Sequence, residues 1–384
     1  MESGELEILT SPEFGLAVEQ NIERNPSDIA LDGRVPHARL VATQVKNLQR
    51  AARKLPGYYA ARAILPTLAT QQASSEECAA HKRFSGALAV DLTCGLGVDS
   101  LYLSRRFERV VAIEHNPELA AITRHNLRLL GADNVEVLSG ESEEFLATLT
   151  HADLIYADPD RRSAEGHKMV CLEDCSPNIA ALLPTLKEKA DHIAVKLSPM
   201  FDTTEALKQF GPGSDMEVIS LGGEVKEVVA YWSRENSKPT IGATALGVGS
   251  FEVPVGENFT VQKATFETDK YHYLVVPDAA LRKAGLTAQW CASVGLDLHG
   301  AYGFATERPT TPLGHTYNII GTYPYQPKKL KPLAGRKVEI IRHGFSLPTS
   351  AILKALGAQE GAGTRWAFAE IGGDRWAFQI EEIK

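Results

Sequence analysis

The sequence predicts an α/β protein: a mainly parallel β-sheet covered by helices, preceded by a helical region and followed by a smaller α+β unit. Three observations support this prediction. Residues 37–82 carry apolar side chains at helical spacing, short apolar runs alternate with amphipathic segments from about residue 86, and this pattern stops near residue 250. Alternating strands and helices are typical of parallel sheets, because each crossover needs a helix. We therefore predict three regions, residues 1–84, 85–250 and 251–384.

The helical region is predicted from one apolar stripe and from the residues that interrupt it. Pro56-Gly57 predicts the end of the first helix. Ser74 and Glu77, in the segment SSEE, predict a capping box at the start of the next helix. The stripe recurs at spacings of four and three residues and consists of Val41, Val45, Leu48, Ala52 and Leu55.

The central region contains five apolar strand candidates, which are ALAVDL, RVVAIE, NVEVLS, DLIYAD and HIAVKLS. Amphipathic segments separate them at 98–107, 117–130, 141–150 and 177–190. Two further strand-like runs flank Gly222-Gly223 and predict that the sheet ends in antiparallel strands.

The C-terminal region has a different pattern. The segment YHYLVVPDAALRKAGL predicts a strand followed by a helix. The segments RKVEIIR, TSAILKALGA, RWAFAEI and RWAFQIE predict a strand, a helix and a hairpin that turns at Gly372-Gly373-Asp374. This arrangement predicts a small α+β unit.

Composition and charge narrow the class of protein. A chain of 384 residues exceeds the usual size of one domain, and 23% charged residues are typical of a globular protein. No run approaches the roughly 20 apolar residues of a membrane helix. The first residues, MESGELEILT, lack the basic and apolar parts of a secretory signal. Five scattered cysteines lack zinc-site spacing, so we expect reduced thiols, no metal and a cytoplasmic location.

The net charge of −8 attracts no nucleic acid by itself, but the basic residues are concentrated in two runs. Residues 33–75 contain seven Lys or Arg and no Asp or Glu, and YPYQPKKLKPLAGRKVEIIRH is the second run. Basic residues beside tyrosines indicate nucleic-acid binding weakly, and solvated surfaces explain them equally well. The predicted RNA contacts are Arg50, Arg53 and Lys54, on one helical face, and Lys328, Lys329 and Lys331, in an exposed loop.

The segment DLTCGLGVDS, residues 91–100, carries the strongest functional signal. Gly95 and Gly97 lie at the first strand-to-helix turn, where a missing Cβ lets a ligand approach the backbone and the helix amides face it. A dinucleotide site would need a third glycine, but Ser100 stands there, and the carboxylate of Asp91 would repel a pyrophosphate. The pattern D-x-x-x-G-x-G instead indicates a binding site for S-adenosylmethionine (SAM).

The next three strand ends agree with this interpretation. Glu114, 23 residues beyond Asp91, is placed to accept hydrogen bonds from ribose hydroxyls. Glu141 follows the third strand, at the position where SAM-dependent enzymes often contact the adenine amine of the cofactor. Asp158-Pro159 follows the fourth strand, at the position where methyltransferases carry a motif that contacts the acceptor base. The predicted SAM-binding residues are Asp91, Thr93, Cys94, Gly95, Gly97, Glu114, His115, Glu141 and Asp158.

Several segments together resemble a known family. They are KLPGYYA, QQASSEECAAHK, DLTCGLGVDSLYLS, DPDRRS and VKLSPMFD, which span roughly residues 54–240. They are similar to bacterial class I SAM-dependent methyltransferases of the Bacteroidetes type that carry a C-terminal THUMP-like domain. The resemblance implies a Rossmann-like catalytic core and a C-terminal module similar to RNA-binding THUMP domains. It transfers roles to Asp91, Gly95, Gly97, Glu114 and Asp158-Pro159 and names no substrate.

The residues expected to bind the methyl acceptor differ from those of better-known methyltransferases. Adenine-amine methyltransferases resemble D-P-P-Y at this place, whereas Asp160 and Arg161 stand here for the second proline and the tyrosine. Ser198 stands where uracil-type enzymes have a cysteine nucleophile, which disfavours methylation of a ring carbon. The predicted catalytic residues are Asp158, Pro159, Asp160 and Arg161, and Lys196 is either part of the same cleft or a surface lysine.

Three functions remain open from the sequence. The first is methylation of a base nitrogen in tRNA or rRNA, with both basic runs and the C-terminal module gripping RNA. The second is methylation of a small molecule or protein, and the third is SAM binding without turnover. A steep loss of binding with salt would favour the first function, because phosphate contacts release counterions.

Overall fold

The computed structural model describes residues 4–161, 172–256, 265–327, 330 and 333–383. The chain divides into two compact units. The first comprises Met1–Met216 with Lys226–Pro239, and the second comprises Glu217–Val225 with Thr240–Lys384. The predicted helical region, residues 1–84, lies within the first unit.

The N-terminal helices, most of them short, share a core with the helices that cover the sheet. Val41, Val45 and Leu48 are fully buried, as the apolar stripe predicted, and they cluster with Leu101 and Leu127. The N-terminal helices are α1 (Glu5–Leu9), α2 (Pro12–Asn21), α3 (Pro26–Leu31), α4 (Ala38–Ala51), α5 (Pro56–Ala60), α6 (Thr67–Gln72) and α7 (Glu76–Ala80).

Two predicted helix boundaries are wrong. Helix α4 ends at Ala51, and Pro56 begins α5 rather than ending the preceding helix, because proline fits the first helical turn. Ser75 caps α7, with its hydroxyl accepting from the Cys78 amide, so the predicted capping box of Ser74 and Glu77 is absent. The Ser74 hydroxyl faces the interior of the first unit instead.

All five predicted parallel strands are present. In the first unit the strand order is β9-β7-β4-β1-β2-β3, with β9 antiparallel to β7. This is a Rossmann-like arrangement. Most of β8 and the turn at Gly222-Gly223, where both glycines have positive φ, belong to the second unit. The elements are β1 (Gly86–Asp91), α8 (Val98–Leu103), β2 (Phe107–Glu114), α9 (Pro117–Leu129), β3 (Val135–Ser139), α10 (Ser142–Thr148), β4 (Ala152–Ala157), β5 (Asp160–Arg161), β6 (Cys175–Ser176), α11 (Ile179–Lys189), β7 (Ala190–Leu197), α12 (Thr203–Phe210), β8 (Ser214–Leu221) and β9 (Glu224–Ser233).

The second unit is α+β, as predicted, and includes strands that the sequence pattern did not reveal. An eight-stranded sheet has the order β13-β14-β12-β15-β19-β18-β16-β17, and β10 and β11 form an antiparallel pair. The elements are β10 (Thr240–Ala245), β11 (Gly249–Pro254), β12 (Tyr273–Pro277), α13 (Ala279–Lys283), α14 (Thr287–Ser293), β13 (Asp297–His299), β14 (Tyr302–Ala305), β15 (Gly314–Pro324), β16 (Lys337–Arg342), α15 (Thr349–Leu356), β17 (Gln359–Glu360), β18 (Thr364–Ile371) and β19 (Asp374–Glu382).

Candidate active site

The predicted SAM-binding and catalytic residues lie at one edge of the first unit's sheet. Strands β1 to β4 run parallel, so their carboxyl ends meet at this edge. Asp91 is in register with Tyr156 of β4, and Glu114 with Ser139 of β3. The topology therefore brings together strand ends that are far apart in the sequence.

The two glycines of the first turn have different roles. Gly97 caps α8 with φ +81°, and a Cβ there would lie 2.7 Å from Cγ2 of Thr123, so this position is fixed by packing. Gly95 has φ +52°, and a Cβ there would meet no atom of the described chain within 4 Å beyond its neighbours. The described chain therefore leaves room for a ligand next to the Gly95 backbone, but not next to Gly97.

Glu114 is buried beside this turn. Its Oε2 accepts a hydrogen bond from the Gly95 amide at 3.0 Å, and its Oε1 accepts from the Asn116 amide at 2.9 Å. The exposed His115 places its Nδ1 3.1 Å from the same Oε1. A carboxylate fixed in this way next to an open glycine suits the vicinal hydroxyls of a ribose.

Asp91 is fully buried at the end of β1. The Ser100 hydroxyl donates to its Oδ2 at 2.6 Å, and the Thr93 amide donates to its Oδ1 at 3.1 Å. Burial raises the pKa of Asp91 to about 7, although both hydrogen bonds favour the carboxylate. Ser100, which replaces the third glycine of a dinucleotide motif, thus supplies a hydrogen bond to the acidic residue that distinguishes the motif.

The remaining predicted cofactor residues, Thr93, Cys94 and Glu141, differ in their placement. Thr93 links two strand ends, because its Oγ1 accepts from the Asp158 amide at 2.6 Å. Cys94 is buried, and burial raises the pKa of its thiol well above the usual value, so it is a structural residue. Glu141 is exposed at the start of α10, where its side chain is open to solvent.

Asp158 forms an ion pair with Lys196 of β7. The Asp158 side chain is 30% exposed and the Lys196 side chain 14% exposed. Loss of hydration raises the pKa of Asp158 to about 6, against the lowering effect of Lys196. Burial lowers the pKa of Lys196, but Asp158 and Asp99 outweigh it and raise that pKa above the usual value. The structure thus places Lys196 in the site, which the sequence had left open.

Sequence reasoning missed four polar residues behind this pair. The Lys196 ammonium donates to the Ser74 hydroxyl at 2.8 Å, and that hydroxyl donates to Asp99 at 2.7 Å. Lys82 lies 3.0 Å from Asp99 and 3.2 Å from Glu227. Lys82, Asp99 and Glu227 lie in or beside apolar stretches, and this was the sequence signal for a buried ion-pair cluster. Charged residues are rarely fully buried unless they are paired.

The other predicted catalytic residues begin a short antiparallel pair. Pro159 is buried, and Asp160 is exposed in β5, opposite Ser176 of β6. The backbone of Arg161 pairs with Cys175. The segment that follows, from residue 162 to residue 171, lies outside the described residues.

The predicted RNA contacts are only partly supported by their placement. Arg50 and Arg53 are exposed, but Lys54 is half-buried, and its ammonium donates to the carbonyls of Thr70 and Gln71 at 3.2 Å each. The prediction that Lys54 shares a solvent-exposed helical face is therefore wrong, because the helix ends before it. Lys328, Lys329 and Lys331 lie outside the described residues.

The described residues offer neither a cluster of metal ligands nor a helix suited to a membrane. Within the ranges that the structure describes, no three or more His, Cys, Asp or Glu side chains are grouped so as to hold a metal ion. No helix in the described part of the chain has the length and apolar character needed to cross a membrane.

Comparison with known proteins gives similarities at three levels. The family model described as Conserved hypothetical protein 95 matches residues 62–172, well short of half the chain. An uncharacterized SAM-dependent methyltransferase of Mycobacterium tuberculosis is 25% identical over 319 residues, which cover 80% of this chain and 86% of that protein. An uncharacterized RNA methyltransferase of Clostridium tetani is 31% identical over 91 residues, 23% of this chain and 20% of that protein.

A solved structure extends the similarity to nearly the whole chain. The crystal structure of a candidate methyltransferase from Porphyromonas gingivalis superposes with a TM-score of 0.82 at 25% identity and covers 98% of both chains. The sheet edge described above also fits SAM, because it offers an open glycine backbone next to two buried carboxyl groups. By these similarities and this geometry, the protein is a SAM-dependent methyltransferase.

Proposed function

We propose that this methyltransferase modifies a base nitrogen of RNA, with tRNA or rRNA as the acceptor. The observation that carries the choice of RNA is a basic face on α4, formed by Arg39, Lys46 and Arg50. These three side chains are exposed at spacings of seven and four residues, so they lie on one side of the helix. With a rise of 1.5 Å per residue, the face extends over about 16 Å.

The basic face is not neutralised by nearby acidic groups. In the described part of the chain, none of these three side chains forms an ion pair, whereas Arg34 and Arg62 pair with Asp32 and Glu19. Arg53 is also exposed, just beyond the helix. Unpaired surface cations on a protein of net charge −8 favour a polyanionic partner.

The names of partial relatives agree with this proposal. The Clostridium tetani protein that resembles part of this chain is named an RNA methyltransferase, and a protein from Halalkalibacterium halodurans, 32% identical over 80 residues, has the same designation. The similarity covers about a fifth of each of those proteins, so it supports the proposal and does not supply the acceptor.

In this proposal each strand end contributes to binding the methyl donor. Glu114 accepts hydrogen bonds from the ribose hydroxyls, and Asp91 receives the amino group directly or through water. Gly95 and Gly97 shape the turn, and Glu141 faces the adenine amine. Thr93 fixes the position of the Asp158 amide, Cys94 packs beneath the turn, and His115 borders the ribose position.

The proposed chemistry depends on Asp158. SAM supplies a methyl group on a sulfonium centre, which an in-line nucleophile displaces. The Asp158 carboxylate accepts a hydrogen bond from the acceptor N–H, orients its nitrogen and takes the proton when that nitrogen is methylated. The Pro159 carbonyl is a second acceptor for an exocyclic amine. Asp160 is a further proton acceptor, and Arg161 contacts a phosphate or the base.

The second unit is proposed to be THUMP-like, as in methyltransferases of the Bacteroidetes type. Its eight-stranded sheet with flanking helices is an α+β arrangement, which is consistent with that proposal. Lys328, Lys329 and Lys331 would then provide additional phosphate contacts. We propose a cytoplasmic location, where such RNA is made and modified.

The proposal is tested by mass spectrometry of nucleosides in total RNA from cells with and without the gene. We expect one methylated nucleoside to be missing without the gene and restored by the parent gene. The Asp158→Ala variant should not restore it, while its SAM affinity stays close to that of the parent. Asp133→Ala, at an exposed loop position, is the matched control and should restore it. Restoration by Asp158→Ala would show that Asp158 is not catalytic.

The alternative is methylation of a small molecule or protein, for which the partly exposed Asp158 carboxylate is equally suited. It predicts that no nucleoside is missing and that total RNA binds weakly at physiological salt. SAM binding without turnover predicts the same RNA result and no methyl transfer to cell extract. The nucleoside analysis therefore separates the RNA proposal from both alternatives.

A further inference from the structure

A continuous polar network extends from Asp158 into the interior of the first unit. Lys196 contacts Asp158 and Ser74, Ser74 contacts Asp99, and Lys82 bridges Asp99 and Glu227. Ser74, Lys82, Asp99 and Glu227 are each less than 9% exposed. Apart from Asp158 and Lys196, the network is thus shielded from water.

The members of the network come from separate elements. Lys196 lies on β7, Asp99 on α8 and Glu227 on β9, while Ser74 and Lys82 flank α7. Burying two ammonium groups and three carboxylates costs more in lost hydration than isolated ion pairs usually return. Packing apolar side chains in their place would stabilise the unit at least as well, so stability alone does not account for the network.

The network holds the Lys196 ammonium between Ser74 and Asp158. Ser74 accepts from Lys196 and donates to Asp99, so its hydroxyl fixes the ammonium at one side while Asp158 holds it at the other. The pKa of Asp99 is lowered to about 2, because Lys82 and Lys196 outweigh the effect of burial. Asp99 therefore stays ionised and keeps the Ser74 hydroxyl oriented.

We propose that Ser74, Asp99 and Lys82 are positioning residues that hold the Lys196 ammonium against Asp158, so that Asp158 presents an ionised carboxylate to the acceptor N–H. This inference rests on the proposed function of Asp158. It assigns to the segment before the first strand a part in catalysis, because Ser74 and Lys82 both lie there.

The charges around Asp158 determine what loss of the network does. Lys196 is the facing cation, and the carboxylates of Asp99 and Glu227 act against it. Asp91 and the buried Tyr156 also interact with Asp158. Removing the Lys82 ammonium leaves Asp99 and Glu227 uncompensated, which raises the pKa of Asp158 and draws Lys196 toward Asp99. The fraction of Asp158 that is ionised at neutral pH then falls, and with it the fraction that accepts the substrate proton.

The test is a carbon-13 NMR titration of the full-length protein labelled at aspartate carboxyl carbons, with Asp158 assigned from Asp158→Asn. We expect Lys196→Met to raise the Asp158 pKa by about 1–3 units, the usual effect of losing an adjacent opposite charge. Lys82→Met should shift it in the same direction by less. Lys189→Met removes a half-buried lysine that donates to Leu146 and Leu149 carbonyls and should cause no shift.

Ser74→Ala keeps every charge and removes one hydroxyl, so it tests the network if Lys82→Met does not fold. We expect it to raise the Asp158 pKa and to move the acidic limb of the pH–rate profile to higher pH, with SAM affinity unchanged. An Asp158 titration identical to the parent in folded Ser74→Ala and Lys82→Met would overturn the inference. Because the titration needs no acceptor, shifted titrations without any RNA methylation would contradict the proposed function alone.

Discussion

At the scale of single residues, the carboxyl groups of the site differ in what they contact. Glu114 accepts from two backbone amides, Asp91 from a serine hydroxyl and one amide, and Asp158 pairs with an ammonium. Burial raises the pKa of Asp91 and Asp158 to about 7 and about 6. Groups that titrate near neutrality are expected where protons are exchanged with a ligand or an acceptor.

The Glu114 carboxylate gives the first prediction. Replacing Glu114 with alanine should weaken SAM binding by about 1–3 kcal/mol, because the charged acceptor for the ribose hydroxyls is lost. Calorimetry measures this affinity directly. Glu136→Ala, which removes an exposed carboxylate paired with Arg109 on the neighbouring strand, is the control and should leave it unchanged. Unaltered SAM affinity in Glu114→Ala would refute the ribose placement.

At the scale of elements, the turn between β1 and α8 contains one glycine that packing requires and one that leaves room for a ligand. Gly97 is enclosed by Thr123 and Leu127 of α9, whereas Gly95 faces open space in the described chain. The Thr123 hydroxyl donates to the Gly95 carbonyl at 2.6 Å, so α9 also supports the open glycine. The two glycines of one motif therefore serve different purposes, which a motif alone does not distinguish.

Alanine at each glycine should have different effects. Gly97→Ala should lower the free energy of unfolding by about 1–3 kcal/mol, because it combines a left-handed backbone with a clash at Thr123. Gly95→Ala has the same backbone cost without the clash, so it should destabilise less but reduce SAM affinity more. Urea unfolding and calorimetry on both variants test this. Equal stability losses and unchanged SAM affinity would contradict the assignment.

At the scale of the whole molecule, acidic and basic residues are unevenly distributed. The net charge is −8, yet residues 33–75 contain no acidic residue, and α4 exposes Arg39, Lys46 and Arg50. Phosphate binding by such a surface depends on salt, because each neutralised phosphate releases condensed counterions. The two basic runs belong to different units, so their contributions have to be measured separately.

Charge reversal provides that measurement. Lys46→Glu with Arg50→Glu, and separately Lys328→Glu with Lys329→Glu, should each weaken binding of total RNA and flatten its salt dependence, while SAM affinity stays unchanged. If both runs grip one RNA, the combined variant should lose more affinity than either pair. Lys208→Glu with Lys354→Glu is a control of equal charge. An identical loss in that control would show a general charge effect and no localised grip.

The amino-acid sequence by itself determined the parts that depend on neighbouring residues. Alternating apolar runs predicted β1 to β4, β7 and the final hairpin. The acidic residues at the strand ends predicted Asp91, Glu114 and Asp158 as site residues, since parallel strand ends share one edge. Strands β10, β11 and β13 to β15 were not predicted; β13 and β14, with three and four residues, are too short to show a periodicity. The end of α4 was missed because apolar spacing alone does not show where a helix stops.

Only the tertiary structure decided which polar side chains meet. Lys196 reaches Ser74 across 122 residues and Lys82 reaches Glu227 across 145, and no sequence period marks such pairs. Lys54, which matched the basic pattern, is instead held by the carbonyls of Thr70 and Gln71. Local propensity acts over a few residues, whereas the partner of a buried charge is set by the fold, which brings distant groups together where water is excluded.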